Sequence, residues 1–167
     1  MTATTLSRTA PRTSALRRLP TLLASALERL ADPFALATRV YVSWQFFKSG
    51  LLKIGSWEST LSLFQDEYKV PLLPPTLAAI GGTFGELFFP VLLILGLFGR
   101  VGALGLFAVN AMAVVSYAHV LYTEGFEAAL GQHYLWGFML AMLAIYGPGG
   151  WSVDRYLSQR VGSPRSW

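Results

Sequence analysis

The stretch "GGTFGELFFPVLLILGL", residues 81–97, decides the fold of this chain. It belongs to an apolar run from Thr76 to Phe98, close to the roughly 20 residues that cross a bilayer as a helix. One carboxylate, Glu86, lies near the middle of the run. An ionisable group at that depth costs several kcal/mol unless it finds a partner. The stretch therefore predicts a transmembrane helix and raises the question of what Glu86 contacts.

The composition of the whole chain agrees with a surface that faces lipid. The 167 residues are 53% hydrophobic and only 13% charged, whereas soluble domains are about 25% charged. There are no cysteines, which excludes disulfides, thiolate metal sites and a cysteine redox relay within this chain. The net charge of +4 comes mainly from the two tails. Because no basic stripe with interleaved aromatics is present, nucleic-acid binding is disfavoured.

Three further apolar runs lie on either side of this stretch, so that the predicted spans are residues 34–54, 76–98, 101–120 and 132–146. The segment "LGLFGR" at 95–100 predicts a very tight turn, which makes the second and third spans an antiparallel hairpin. Residues 55–75 are too polar to cross, but their apolar residues can line one face of a short helix at the membrane surface. The predicted fold is an all-α membrane protein, a four-transmembrane-helix bundle with a short interfacial helix between helices one and two.

Both tails are basic. Residues 1–32 form an N-tail whose leucines recur at steps of three and four, which is typical of an amphipathic helix on a membrane surface. The alternative is a cleaved targeting peptide, because the tail is rich in arginine, serine and threonine. Residues 33–150 form the membrane domain, and residues 151–167 form the C-tail. The excess of lysine and arginine predicts that both tails are cytoplasmic, with the 55–75 and 121–131 loops outside.

Polar side chains inside or beside the predicted spans are the candidate buried polar or ligand residues: Glu86, Arg39, Lys48, Lys53, Asn110 and Arg100. At a rise of about 1.5 Å per residue, Glu86 and Asn110 lie near the midplane. Arg39 and Lys48 lie on opposite faces of helix one, whereas Arg39 and Lys53 share a face. We expect Glu86 to pair with Arg39 or Lys48, and Asn110 to offer it a neutral hydrogen bond.

Glu86 has three interpretations. It forms a structural clamp with its partner, since buried ion pairs fix helix register better than they stabilise a fold. Alternatively, it handles protons or polarises a ligand in a cavity between helices. In the third interpretation it is protonated and faces lipid.

Two histidines raise a separate hypothesis. His119 and His133 lie near the outer ends of helices three and four, on either side of a loop that carries Glu124 and Glu127. Two imidazoles and a carboxylate are suitable ligands for Zn²⁺ or Cu²⁺. Their spacing is not a recognised ligand motif, so no metal site is assigned. The sequence also lacks a catalytic motif, and no catalytic residue is assigned.

Over about residues 36–157 the chain resembles the DoxX family of small four-helix bacterial membrane proteins, which is related to the small subunit of thiosulfate:quinone oxidoreductase. The order and spacing of the following elements carry the resemblance: Arg39, "FFKSGLLKI" with Gly50 and Lys53, "VPLLPP" before helix two, Glu86, "LGLFGR" ending in Arg100, Asn110, and "GPGGWSVD" at 147–154. The family usually has a small polar residue before the arginine, where Phe98-Gly99 stand here.

The resemblance implies a multi-pass protein of the bacterial inner (plasma) membrane, in contact with lipid and with a protein partner or a second copy of itself. Some relatives are associated with thiosulfate:quinone oxidoreduction, and others with quinone or oxidative-stress responses. It implies a redox-linked accessory subunit, with quinone as the candidate cofactor; whether the chain is an enzyme stays open. The alternatives are a structural or assembly protein, and a small transporter or metal-handling protein. A cavity that reaches Glu86 favours the redox-linked subunit or the transporter or metal-handling protein, and a fully packed bundle favours the structural protein.

Overall fold

The computed structural model describes the backbone of residues 14–161 and the side chains of residues 20–160. What the sequence predicts for residues 1–13 and 162–167, and for the side chains of residues 14–19, lies outside this range. The described residues form seven helices and no strand: α1 Ser14–Gly55, α2 Trp57–Asp66, α3 Pro75–Leu95, α4 Gly99–Ser116, α5 Ala118–Leu121, α6 Glu127–Tyr146 and α7 Val153–Val161. Of these, α3, α4 and α6 are long and apolar enough to cross a membrane. The all-helical class is therefore confirmed.

The first helix is longer than the predicted span. It has 42 residues and continues without a break through residues 32–33, where the sequence predicts the end of a tail. The predicted span 34–54 forms its C-terminal half. The chain divides into two compact units, Met1–Ala31 and Asp32–Trp167. In the first unit, Leu23, Leu27 and Leu30 of α1 recur at the predicted steps and are exposed, and the neighbouring Leu22 is exposed as well.

The turn between α3 and α4 is as tight as the sequence predicts. Proline at N1 starts α3, where its missing N–H costs nothing. The helix ends at Leu95, and its capping residue Gly96 has a left-handed φ of 65°, which suits glycine. Phe98 is also left-handed, with a φ of 48°. Asp154 stabilises this conformation, because its two carboxylate oxygens accept the N–H groups of Phe98 and Gly99, each at 2.8 Å.

Small residues bring α3 and α4 together in an antiparallel hairpin. A Cβ added at Gly85 would lie 2.7 Å from Val109 Cγ2, and one added at Gly102 would lie 3.1 Å from Leu93 N. Residues further towards the end of α3 therefore face residues nearer the start of α4, as expected for an antiparallel pair. The apolar core beside this contact is shared by α1, α3, α4 and α6, and its buried members are Val42, Phe46, Leu93, Ala103, Leu106, Leu140 and Leu143.

The second helix, α2, lies where the sequence predicts a short helix. It packs on the start of α3, because Phe64 forms a small buried cluster with Ala78 and Ala79. The loop after α2 is joined to the end of α4 by a hydrogen bond from the Lys69 N–H to the Ser116 carbonyl at 2.9 Å.

Besides the start of α1, two helix boundaries differ from the predicted ones by four residues or more. The third span ends at Ser116 rather than at residue 120. The Ser116 carbonyl accepts the Lys69 N–H, and the Val120 N–H donates to the Tyr117 carbonyl instead. The last span starts at Glu127 rather than at residue 132. An acidic residue in the first turn favours this earlier start, because it complements the helix dipole.

Candidate functional site

Glu86 forms an ion pair with Lys53, so that the pair joins α3 to α1. The Lys53 ammonium lies 2.7 Å and 2.6 Å from the two carboxylate oxygens, and it also donates to Ser49 Oγ at 2.9 Å. Both charged side chains are only 11% exposed. Close helix contact makes this burial achievable, since a Cβ added at Gly50 would lie 3.1 Å from the Cβ of Glu86.

The predicted pairing of Glu86 with Arg39 or Lys48 is wrong. Lys48 is exposed, and Arg39 is buried in a different contact. Lys53 reaches the carboxylate although its backbone lies close to the end of α1, because the lysine stem is long and flexible. The interpretation of Glu86 as a protonated, lipid-facing residue is wrong too, because its side chain is buried against a cation.

A cavity of about 310 Å³ lies directly beside this ion pair, bounded by α2, α3, α4 and the loop after α2. That volume is at the lower end of the range for small-molecule pockets, roughly 300–1,000 Å³. Its walls are mostly apolar, and they include Phe64, Phe89, Val109 and Met112. Its polar lining residues are Lys53, Glu86, Tyr68 and Ser116.

Two of the lining residues, Tyr68 and Ser116, carry hydroxyl groups. Ser116 is 3% exposed, and its Oγ has no hydrogen-bond partner among the described residues. The ring of Tyr68 packs edge-on against Phe64, with centroids 4.9 Å apart, and against Tyr117, with centroids 5.2 Å apart. Burial, reinforced by the negative charge of Glu86, raises the pKa of Tyr68. Tyr68 therefore stays protonated at neutral pH and can donate a hydrogen bond.

Arg39 lies in a structural contact away from this cavity. Its side chain is fully buried. One guanidinium nitrogen donates to the carbonyls of Leu93 and Ile94, at 3.3 Å and 3.4 Å, and another donates to the carbonyl of Trp151. A cation at this end of α3 also complements the helix dipole. Arg39 thus ties the C-terminal end of α3 to the segment that follows α6.

Carboxylates on α1 and α7 hold the same segment in place. Asp32 accepts the N–H of Gly150, and Asp154, which caps α4, donates its own N–H to the Gly96 carbonyl at 3.0 Å. The residues "GPGGWSVD" at 147–154 therefore contact α1 and the α3–α4 turn. Arg100 lies half-buried in α4, and its Nε has no hydrogen-bond partner in the part of the chain that the structure describes.

Asn110 contacts α6 and not Glu86, so its predicted role as a neutral partner of Glu86 is wrong. Its amide nitrogen donates to the His133 carbonyl at 2.9 Å. Its amide oxygen lies 2.8 Å from His133 Nδ1, which fits a proton on that ring nitrogen. The contact is close because α6 has glycine opposite: a Cβ added at Gly137 would lie 3.3 Å from the Asn110 amide nitrogen.

The two histidines lie in different surroundings. His119 is exposed and packs edge-on against Tyr117, with ring centroids 5.6 Å apart, whereas His133 is held by Asn110. Across the described residues, no group of three histidine, aspartate or glutamate side chains is placed to hold a metal ion. The geometry gives the metal hypothesis no support.

Sequence reasoning missed three residues of the site, Ser49, Tyr68 and Ser116. Ser49 carried a usable signal, because it stands four residues before Lys53 and such pairs face each other on a helix. Tyr68 and Ser116 carried none. Both residues line the cavity, and the loop that carries Tyr68 contacts the end of α4 through the hydrogen bond from the Lys69 N–H to the Ser116 carbonyl.

A comparison with protein families finds a match over the helices that build this site. The DoxX family model matches residues 34–119, more than half of the 167 residues. The matched range runs from the second half of α1 through α4 and includes Arg39, Lys53 and Glu86. No curated protein and no solved structure gives a significant match to the chain. The family match agrees with the apolar helices α3, α4 and α6, and the chain belongs to the DoxX family of membrane proteins.

Proposed function

We propose that this protein is a redox-linked accessory membrane subunit that binds a quinone, or a similar apolar ring, in the cavity beside Glu86. One observation carries the proposal: a cavity of about 310 Å³ with apolar walls reaches a buried ion pair. Ring ligands of this kind need apolar walls and a few well-placed polar contacts. A fully packed bundle would instead have favoured a purely structural protein.

The polar residues of the cavity fit both ring carbonyls and ring hydroxyls. The Glu86 carboxylate has about four lone-pair sites, and the two short bonds from Lys53 leave room for a ring hydroxyl to donate. The Tyr68 phenol can donate to a ring carbonyl.

Electrons must come from outside this chain. It has no cysteine and no catalytic motif of its own, and a bound quinone supplies the capacity to accept or release electrons. The chain's own contribution is to bind and orient the ring and to place Glu86 and Lys53 beside it. The proposal therefore includes a protein partner, or a second copy of this chain arranged around such a partner.

The proposal also includes an arrangement in the bacterial inner membrane. Four spans cross the bilayer: residues 34–54 of α1 together with α3, α4 and α6. The short helix α2 lies at the outer surface, and both termini are cytoplasmic. The basic residues of the two tails and Arg100 support this arrangement, because lysine and arginine concentrate on the cytoplasmic side.

Single cysteines will test this topology cleanly, because the natural chain has none. Gln65→Cys and Arg160→Cys both replace exposed side chains, in α2 and α7. In intact cells, a membrane-impermeant maleimide is expected to label position 65, and to label position 160 only after lysis. Labelling of position 160 in intact cells would contradict the arrangement.

Filling the cavity is expected to block ligand binding without unfolding the protein. Gly81 lines the cavity, and an added Cβ there meets nothing within 4 Å. For Gly81→Leu, equilibrium dialysis with 1,4-naphthoquinone is expected to show at least a tenfold loss of affinity, about 1.4 kcal/mol.

Gly131→Leu is the matched control. Gly131 lies in α6, an added Cβ there also meets nothing within 4 Å, and the residue does not line the cavity. We expect it to bind the probe like the natural protein. Equal affinities for Gly81→Leu and Gly131→Leu would argue against this cavity as the site.

A structural or assembly protein is the second candidate function. The Arg39 contacts favour it, because they use a buried charge only to hold backbone carbonyls. A natural protein that binds no ring probe, while its partners co-purify with it, would support this candidate over the first.

A further inference from the structure

We propose that the ligand of the cavity carries an apolar chain, and that this chain leaves the cavity through an opening between α3 and α4 into the surrounding lipid. This inference rests on the proposed function, because it concerns the same cavity. It adds a property that the ring alone does not require: a hydrocarbon chain attached to the ring, which keeps the ligand dissolved in the bilayer.

The opening is located by the lining residues that are themselves exposed. They are Gly81 on α3, Ala108 and Met112 on α4, and Leu73 shortly before α3, and all four are apolar. The polar lining residues, in contrast, are all buried or half-buried. The cavity therefore has an apolar mouth, formed by these four exposed residues, and a polar interior.

The contacts of the hairpin explain why α3 and α4 leave an opening here. The helices touch at Gly85, where an added Cβ would lie 2.7 Å from Val109 Cγ2. One turn nearer the start of α3, a Cβ added at Gly81 would meet nothing within 4 Å. Because the pair is antiparallel, Met112, three residues beyond Val109, lies near the level of Gly81. The space between the two helices at this level is the mouth of the cavity.

The mouth lies on a part of the surface that faces lipid. Both α3 and α4 are long and apolar enough to cross a membrane. Ala108, Met112 and Val115 are exposed and stand at steps of four and three residues, so that they share one face of α4. An exposed apolar face on a membrane-spanning helix contacts hydrocarbon chains. A ligand dissolved in the bilayer can therefore enter the cavity sideways, without passing through water.

The size of the cavity explains why a chain must lie outside it. A volume of about 310 Å³ is at the lower end of the range for small-molecule pockets, which suits a ring but not a ring together with a long chain. A ring that contacts the buried Glu86 directs its chain towards the mouth. Beyond the mouth the chain lies in lipid, where its hydrocarbon surface stays away from water.

Two probes with the same ring test the inference, 1,4-naphthoquinone and 2-decyl-1,4-naphthoquinone. Equilibrium binding is measured in lipid nanodiscs, with each probe concentration expressed as its mole fraction in the bilayer, so that the stronger partition of the decyl probe cancels. Ala108→Phe narrows the mouth. It is expected to weaken binding of the decyl probe roughly four- to fifteenfold more than binding of 1,4-naphthoquinone, because one or two methylene groups lose their contacts.

Ala111→Phe is the matched control. Ala111 is also an exposed alanine of α4, but it does not line the cavity. This variant is expected to bind both probes like the natural protein. If Ala108→Phe does not fold, Met112→Trp narrows the same mouth and gives the same comparison.

The outcomes separate this inference from the proposed function. A natural protein that binds neither probe overturns the proposed function and, with it, this inference. If the natural protein binds 1,4-naphthoquinone but Ala108→Phe weakens both probes equally, or weakens neither, only the exit of a chain between α3 and α4 is overturned. The same conclusion follows if Ala111→Phe weakens the decyl probe as much as Ala108→Phe does.

Discussion

Arg39→Met is expected to lower the thermal unfolding midpoint more than any other single substitution of a charged residue in the described part of the chain. Methionine fills much of the same volume but cannot donate a hydrogen bond. The carbonyls of Leu93, Ile94 and Trp151 then lose their donor. Each buried group left unsatisfied costs about 1–3 kcal/mol. Because the Leu93 carbonyl keeps a second donor, the Gly96 N–H, we expect a total of about 3–5 kcal/mol.

Lys48→Met provides the control for this experiment. It removes a cation from the same helix, but Lys48 is exposed, and surface substitutions usually change stability by less than about 0.5 kcal/mol. Circular dichroism melts in detergent compare the two variants. The unfolding midpoint of Arg39→Lys is expected to lie between those of the two variants, since lysine keeps the charge but lacks the planar guanidinium group. Equal melting of Arg39→Met and Lys48→Met would contradict the structural role of Arg39.

The α3–α4 hairpin shows how much of the fold the sequence predicts. The glycines and apolar residues of 95–100 predict the turn from this segment alone. The capping of the turn by Asp154, which lies in a distant segment, is not predicted in this way. The partners of Arg39 are not predictable in this way. They are backbone carbonyls 54 to 112 residues away, and a carbonyl has the same chemistry whichever side chain its residue carries.

The pairing of Glu86 shows a second limit. Depth estimated from helix rise describes the backbone, and it does not locate the ammonium group of a lysine. The side chain decides the contact, since the lysine stem carries its ammonium well away from the backbone. The sequence does not predict the cavity either. Gly81 and Gly85 have the spacing of a packing motif, yet a Cβ on Gly85 would meet Val109 whereas one on Gly81 would meet nothing.

Glu86→Gln is the second change with a large expected effect. It leaves the Lys53 ammonium, 11% exposed, without a counter-charge. Removing one partner of a buried pair costs on the order of 3–5 kcal/mol. We expect the lower end of that range, because Ser49 still accepts from Lys53 and the new amide oxygen accepts one further bond. Thermal melting of the purified variant measures the loss.

The double variant Glu86→Gln with Lys53→Met separates the two roles of the ion pair. Neutralising both partners removes the orphan charge, so the melting temperature is expected to recover in part, and the double-mutant cycle gives the coupling energy. A Glu86→Gln protein as stable as the natural one would show that the pair does not act as a clamp.

Binding of 1,4-naphthoquinone to the double variant is the second measurement. If the double variant folds but does not bind 1,4-naphthoquinone, the charges serve the ligand, because the fold no longer depends on them. If the double variant folds and binds 1,4-naphthoquinone like the natural protein, the pair serves only to hold α1 against α3, and the cavity binds its ring through its apolar walls and Tyr68 alone.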